Sequence, residues 1–409
     1  MFEWLPWALL AALTSFGMGW LVARIDIKQL LSESRALPQS YFKGLNFLMA
    51  EQPDKAIEAF IEVTNQQPEA IELQFALGSL FRKRGEVDRA IRIHQNLSER
   101  ADLPAEQRTA ALLDLALDYQ KAGLLEHAER ILHDLSAKSA GSRKQQLQAL
   151  KLLLEVHVQE RNWQKATDVA RRMQAGEGDA SAYAKEISHY NCESAALAHH
   201  LQLHDDADGY LKAALEANDK CVRANLLKGD WLAADGQHDA AIAVWRRIEA
   251  QNPAYLGLMA DQILASFEAI GKTAQGLREL SALQQQHPAL DMFNAIFHAT
   301  MKSEGAPAAY NLVKEDLRQN PTLVGLDRLL EAELSAAPED RKADLKVLKD
   351  LVHSHSSRLA VYLCGNCGFK AKQFYWQCPA CAGWETFPPR RTAEYDSSDR
   401  HLARLQAEG

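Results

Sequence analysis

Cysteine is scarce in this sequence and unevenly spread: there are six in 409 residues, and four of those lie between 364 and 381. No long tract of proline, glycine or serine interrupts the chain. With 47% hydrophobic and 24% charged residues it belongs among folded proteins. Basic charge is not in excess either. The formal net charge of −8 argues against a nucleic-acid partner, because such proteins carry a cationic face that displaces counterions from phosphates. There is no Gly-rich phosphate loop and no nucleophile elbow. His200 and His204 are one helical turn apart, but no H-E-x-x-H frame surrounds them, so a metal site there is not expected. What remains is a chain longer than one ordinary domain, for which two or three structural units are expected.

Residues Trp4 to Ala23 form a charge-free run of twenty, which at about 1.5 Å per residue matches the roughly 30 Å of a bilayer core. Glu3 stands where a secretory signal carries basic residues, and no clear A-x-A cleavage site follows, so residues 1–25 read as a retained transmembrane anchor. Arg24, Lys28 and Arg35 follow the run while no Lys or Arg precedes it. The positive-inside rule then puts the bulk of the chain in the cytoplasm, making it a single-pass membrane protein. Trp4, Trp7 and Trp20 sit near the ends of the run, where indoles favour the interface. Ser15 and Gly19 supply a small-xxx-small pair on which a partner helix could pack.

Behind the anchor, Gly44 is followed by Ala56, Phe60 and Pro68, and the same offsets return at Gly229, Ala241, Trp245 and Pro253. This is tetratricopeptide spacing. The small residue that brings two helices together recurs at Ala56, Ala90, Ala128, Ala166, Ala207, Ala241, Gly276 and Ala309, a period near 34 with insertions around 100–106, 136–146 and 172–182. Short polar turns such as "RGEVDRA" and "DGQHDAA" join the helices. One hairpin cannot bury its apolar face alone, so stacked hairpins over 38–355 are expected to share a continuous core as a superhelical solenoid. The stretch from Leu329 to His355 keeps the helical pattern but loses the repeat, and reads as a ninth, capping unit. Cys192 and Cys221 fall among these repeats as small core hydrophobes.

Within "LGSLFRKRGEVDRAIRIHQ", Arg82 and Arg84 end one helix while Arg89 and Arg92 begin the next. Two readings stand side by side: a solvated basic edge near a helix C-terminus, or a docking patch for an acidic partner surface.

At the C-terminus, Cys364, Cys367, Cys378 and Cys381 form C-x2-C-x10-C-x2-C. In a reducing compartment this spacing reads as a metal site rather than a disulfide pair. Two Cys-x-x-Cys turns complete a tetrahedral S4 set suited to one zinc or iron ion. The set is closed, which leaves no position for hydrolytic chemistry, although one-electron transfer by iron stays open. Tyr362, Phe369, Phe374, Tyr375, Trp376, Trp384 and Phe387 crowd residues 358–391, and so small a unit takes much of its folding energy from the metal. The surplus rings suggest that it docks on the last repeats. Side chains from Arg358 to Arg391 sum to five positive and one negative, but four thiolates with one divalent ion bring −2, so nucleic acid is again disfavoured.

The order of anchor, repeats and terminal "YLCGNCGFKAKQFYWQCPAC" resembles the lipopolysaccharide assembly protein B family over nearly the whole chain. The resemblance implies an all-α solenoid with an N-terminal transmembrane helix and a small rubredoxin-like metal knuckle, held in the inner membrane. It further implies a non-enzymatic adaptor that promotes proteolysis of the lipid A deacetylase LpxC by the membrane protease FtsH. A periplasm-facing inner-membrane regulator would be met through the transmembrane helix. Carried over, the metal ligands are Cys364, Cys367, Cys378 and Cys381. Two alternatives are a general scaffold for lipopolysaccharide-synthesis enzymes and a rubredoxin-type electron carrier. The chain departs from the family pattern in the polar tail, 392–409, whose role the resemblance does not settle.

Overall fold

Each small residue that marks the repeat lies at a point of helix contact. In a computed structural model, which describes residues 39–50, 52–66, 70–137, 142–179, 181–287, 290–319, 321–359 and 362–387, all eight markers are buried. The expected anchor, 1–25, and the tail, 392–409, lie outside the described residues. Among those described, no helix is long and apolar enough to cross a membrane.

The chain divides into two compact units after Arg161. The first contains the hairpins α1 (Gln39–Met49) with α2 (Pro53–Gln66), α3 (Ile71–Arg84) with α4 (Val87–Glu99) and α5 (Ala105–Lys121) with α6 (Leu125–Ala137), followed by α7 (Arg143–Gln159). The second opens with α8 (Trp163–Glu177), α9 (Ala184–His200), α10 (His204–Ala217), α11 (Val222–Ala234), α12 (His238–Trp245) and the short α13 (Arg247–Gln251). A 3-10 segment, Pro253–Met259, leads into α14 (Ala260–Ala269), α15 (Thr273–Gln286), α16 (Leu290–Ser303) and α17 (Ala306–Gln319). The hairpin of α18 (Leu323–Ala336) and α19 (Glu339–Leu359) ends the helices, and the knuckle follows with β1 (Tyr362–Leu363) paired antiparallel to β2 (Lys370–Ala371).

Glycine on the first helix of a hairpin makes room for a large ring on the second. A Cβ on Gly44 would lie 2.3 Å from the Phe60 ring, one on Gly78 2.5 Å from His94, and one on Gly229 2.1 Å from Trp245. The three pairs share the offset of sixteen read from the sequence, and Phe60, His94 and Trp245 are all fully buried. Gly85 closes α3 at φ 89, where its amide bonds the Arg82 carbonyl and the Glu86 amide bonds that of Phe81. Arg161 and Gln202 occupy the equivalent turn position with φ of 56 and 62, so the turn geometry outlasts the glycine that usually permits it.

The largest apolar cluster lies in the second unit, around Trp245, Ile248, Leu256, Ile263 and Leu280. On α11, Asp230 works against this core: burial raises its carboxyl to about 6, and its Oδ1 has no hydrogen-bond partner among the described residues. A carboxyl raised in the folded state is ionised more easily in the unfolded chain, so stability falls as pH climbs from about 4 through 6. Asp230→Asn is expected to raise stability by about 1 kcal/mol at neutral pH, after discounting for solvent screening, with no gain at pH 4. Paired thermal melts at the two pH values check the sign.

Candidate metal centre

The knuckle repeats one backbone turn twice. The Gly368 amide bonds the Cys364 carbonyl at 2.9 Å and the Ala382 amide bonds the Cys378 carbonyl at 2.8 Å. The Cys364 and Cys378 amides bond the Phe369 and Gly383 carbonyls, each at 2.9 Å. Gly368 takes φ 75 without strain; Ala382 holds φ 56 in the matching place, a conformation that costs a residue with a Cβ. Two more bonds close the loops on each other: Gly365 N–H to Thr386 O at 2.7 Å and Glu385 N–H to Trp376 O at 2.8 Å.

These turns bring the four sulfurs together. Cys364 and Cys381 stand 3.8 Å apart, Cys367 and Cys378 3.7 Å, and all four lie within 4.8 Å of one another. A tetrahedron with metal–sulfur bonds of about 2.3 Å requires sulfurs about 3.8 Å apart. The donor set therefore fits one tetrahedral zinc or iron ion held by Cys364, Cys367, Cys378 and Cys381. Each knuckle also supplies backbone donors. The amides of Cys367 and Asn366 face the Cys364 sulfur, and those of Cys381 and Ala380 face Cys378. Burial disfavours the Cys364 thiolate, but the Thr386 hydroxyl and those two amides outweigh it and bring the thiol down to about 6. The Gly383 amide and the Asn366 side chain likewise lower Cys381. A metal needs thiolates, and the fold stabilises those of Cys364 and Cys381 in advance. Burial and the neighbouring sulfurs raise Cys378, and Cys367 is raised as well, so the ion itself has to displace those two protons.

The knuckle is seated on the helices by aromatic rings. Trp384 stacks on His189 at 4.7 Å and 12°, and meets the edges of Tyr190 at 6.0 Å and Trp163 at 6.2 Å. Trp376 stacks on Tyr255 at 5.3 Å and 9°. The Arg223 guanidinium reaches both indoles, 5.8 Å from the Trp384 ring and 5.9 Å from the Trp376 ring, and is fixed by Glu193 at 2.8 Å. His189 and Glu385 add a polar lock of 3.0 Å. The carboxylate can only accept, so His189 Nε2 carries the proton. Behind this face Cys192 and Cys221 are fully buried, as small core residues would be.

Expectation put this docking on the last repeats; the structure puts it on α8, α9, α11 and the 3-10 segment. The reason is chemical, because α18 and α19 contain no Phe, Tyr or Trp for an indole to meet, whereas Trp163, Tyr190 and Tyr255 stand on the elements chosen. Sequence reasoning missed those partners. Their signal was weak: an aromatic residue inside a helical repeat reads as core.

The four arginines of the basic run, Arg82, Arg84, Arg89 and Arg92, divide. Arg82 points inward, its Nη1 donating to Asp118 at 2.7 Å and its Nη2 to Asp114 at 2.8 Å, while Asp118 also meets the buried His94. Burial opposes the Arg82 charge, yet the bonds to Asp114 and Asp118 prevail and raise its pKa. Arg84 pairs with Asp54 and Glu86. Arg89 and Arg92 share one exposed face of α4.

Comparison with known proteins agrees with this architecture. The rubredoxin metal binding domain family matches residues 362–389, and the tetratricopeptide repeat family matches 43–102 and 201–255. Lipopolysaccharide assembly protein B of Escherichia coli (strain K12) is 32% identical over 378 residues, covering 91% of this chain and 95% of that protein. The protein of the same name from Haemophilus influenzae is 27% identical over 389 residues, covering 92% and 96%. A solved tetratricopeptide repeat protein from Parabacteroides merdae overlays 76% of this chain and all of its own at 15% identity, with a TM-score of 0.27.

Proposed function

This chain belongs to the lipopolysaccharide assembly protein B family, and from that premise we propose that it is a non-enzymatic adaptor of lipopolysaccharide assembly at the inner membrane. In this reading it promotes the FtsH-dependent degradation of LpxC. The observation that carries the reading is the seating of a closed S4 knuckle on the repeats through Trp376, Trp384 and Arg223. A metal ion saturated by four thiolates offers substrate no open position. What Cys364, Cys367, Cys378 and Cys381 then do is fix a fold, and that fold braces the helices that would hold a client.

The anchor expected at Trp4 to Ala23 would confine the repeats to the membrane surface, where effective concentration brings client and protease together without chemistry by the adaptor. Its small-xxx-small pair is the proposed contact for a periplasm-facing regulator. The bulk of the chain would lie on the cytoplasmic side.

One feature favours a second reading, an electron carrier: Cys367 is exposed, giving an S4 iron site an edge open to a redox partner. Iron with reversible bleaching on reduction would support it; zinc in protein purified from native cells rules it out.

The test of the adaptor reading is the half-life of the deacetylase after translation arrest, with this protein present, depleted, or truncated before Val361. Lengthening on depletion and on truncation is expected. An unchanged half-life on depletion removes the degradation role and leaves a general membrane scaffold.

A further inference from the structure

Two helical stripes and one residue of a neighbouring helix enclose a groove of about 370 Å³ in the first unit. Leu77 and Phe81 come from α3, Ile61 from α2, and Arg89, Arg92 and Ile93 from α4. Residues 89, 92, 93 and 96 fall at the spacing of a single helix face, so α4 lines the groove with one continuous strip. The floor is aliphatic and aromatic and the rim is cationic, and no carboxylate is among the lining residues.

The two arginines differ in how they are held. The Arg89 guanidinium lies 3.9 Å over the Phe81 ring while its Nη1 bonds Glu86 at 2.7 Å, which pins the charge above the apolar floor. Arg92 is exposed and has no carboxylate partner among the described residues. Asn96, also exposed, adds an amide donor and acceptor at the end of the strip. Apolar depth, a fixed cation, a free cation and an amide suit an extended polypeptide: a bulky side chain fills the pocket, acidic neighbours meet the arginines, and Asn96 pairs with backbone.

We propose that this groove is a docking site for a partner peptide carrying acidic side chains beside a bulky aliphatic or aromatic anchor. The proposal rests on the adaptor reading for its biological use, but not for its test. Of the arginines singled out in the sequence, Arg89 and Arg92 contact the peptide, Arg84 stays with Asp54 and Glu86, and Arg82 remains an internal strut.

The full chain in detergent is panned against a displayed library of random short peptides, and enriched peptides are then titrated by fluorescence anisotropy. Enrichment of Asp or Glu next to Leu, Ile or Phe is expected. Arg92→Glu should weaken binding at least about tenfold while leaving the thermal midpoint unchanged, since Arg92 is exposed and unpaired among the described residues. Lys121→Glu, outside the groove, should bind like the parent. The proposal is overturned if no acidic peptide is enriched, or if enriched peptides bind Arg92→Glu equally well. It is also overturned if the substitution abolishes binding to phosphatidylglycerol vesicles and spares peptides, which would make the face a lipid contact. Because the readout is purified protein with peptide, loss of the degradation role in cells leaves it standing, and its own failure leaves that role intact.

Discussion

Protein carrying Cys364→Ser with Cys367→Ser is expected to purify without metal, with residues 362–387 unfolded and the helical thermal midpoint lowered by about 10 °C. The knuckle's own core is Tyr362, Ala371 and Phe387 around Cys364 and Cys378, too little for independent stability. Structural zinc sites contribute about 10–16 kcal/mol of apparent binding energy, which becomes folding energy when the apo form has no structure to fall back on. Once the knuckle unfolds, Trp376 and Trp384 leave His189, Tyr255 and Arg223, and the helices lose a ring-lined contact of about 3–5 kcal/mol. Each kcal/mol is about 2–4 °C in a unit of this size. Elemental analysis reports the metal and circular dichroism the melt. Full metal occupancy, or a helical midpoint equal to that of the parent, would show that the two parts are energetically separate. A strong chelator added to the parent protein should reproduce the variant.

Trp384→Ala separates docking from metal binding. Trp384 is no ligand, and its neighbours Cys381 and Cys378 keep their amide donors, so metal content should match the parent. What is lost is the stack on His189, two edge contacts and the contact with Arg223, from a side chain only 6% exposed. A loss of about 2 kcal/mol is expected, only part of the whole contact because Trp376 stays on Tyr255, and is seen as a lower helical midpoint with the metal still bound. Hydrogen exchange across Ala184–His200 should rise at the same time, because that helix carries His189 and Tyr190. Trp384→Phe should recover part of the loss. If Trp384→Ala sheds the metal as well, knuckle and docking face fold as one step rather than two.

Much of this was legible from residue types at fixed offsets. The eight small markers became buried helix contacts because a 3.6-residue period and a tight crossing leave no freedom about which residue must be small. The four cysteines were legible because few chemistries call for that spacing. The position filled by Phe60 and Trp245 holds His94 in the second hairpin, where it is bonded into the chain of Asp118 and Arg82. Periodicity says that a ring belongs there and cannot say that the ring is polar. The docking face was out of reach for another reason. Its halves, Trp163 to Tyr255 and Trp376 to Glu385, are far apart in sequence, and no local rule links an indole to a histidine nearly two hundred residues earlier. The arginines of the basic run look alike in the sequence and differ only in the carboxylates the fold brings to them.

The lock between His189 and Glu385 joins residues 196 apart. Repeat arrays ordinarily grow by neighbour contacts, one hairpin at a time, so that a chain emerging from the ribosome can settle as it lengthens. Here the middle of the second unit has to wait for the last segment to be translated and metallated before its aromatic face is covered. A chain cut short of the knuckle is expected to leave His189, Tyr190 and Tyr255 uncovered, and faster cleavage there in limited proteolysis would report it.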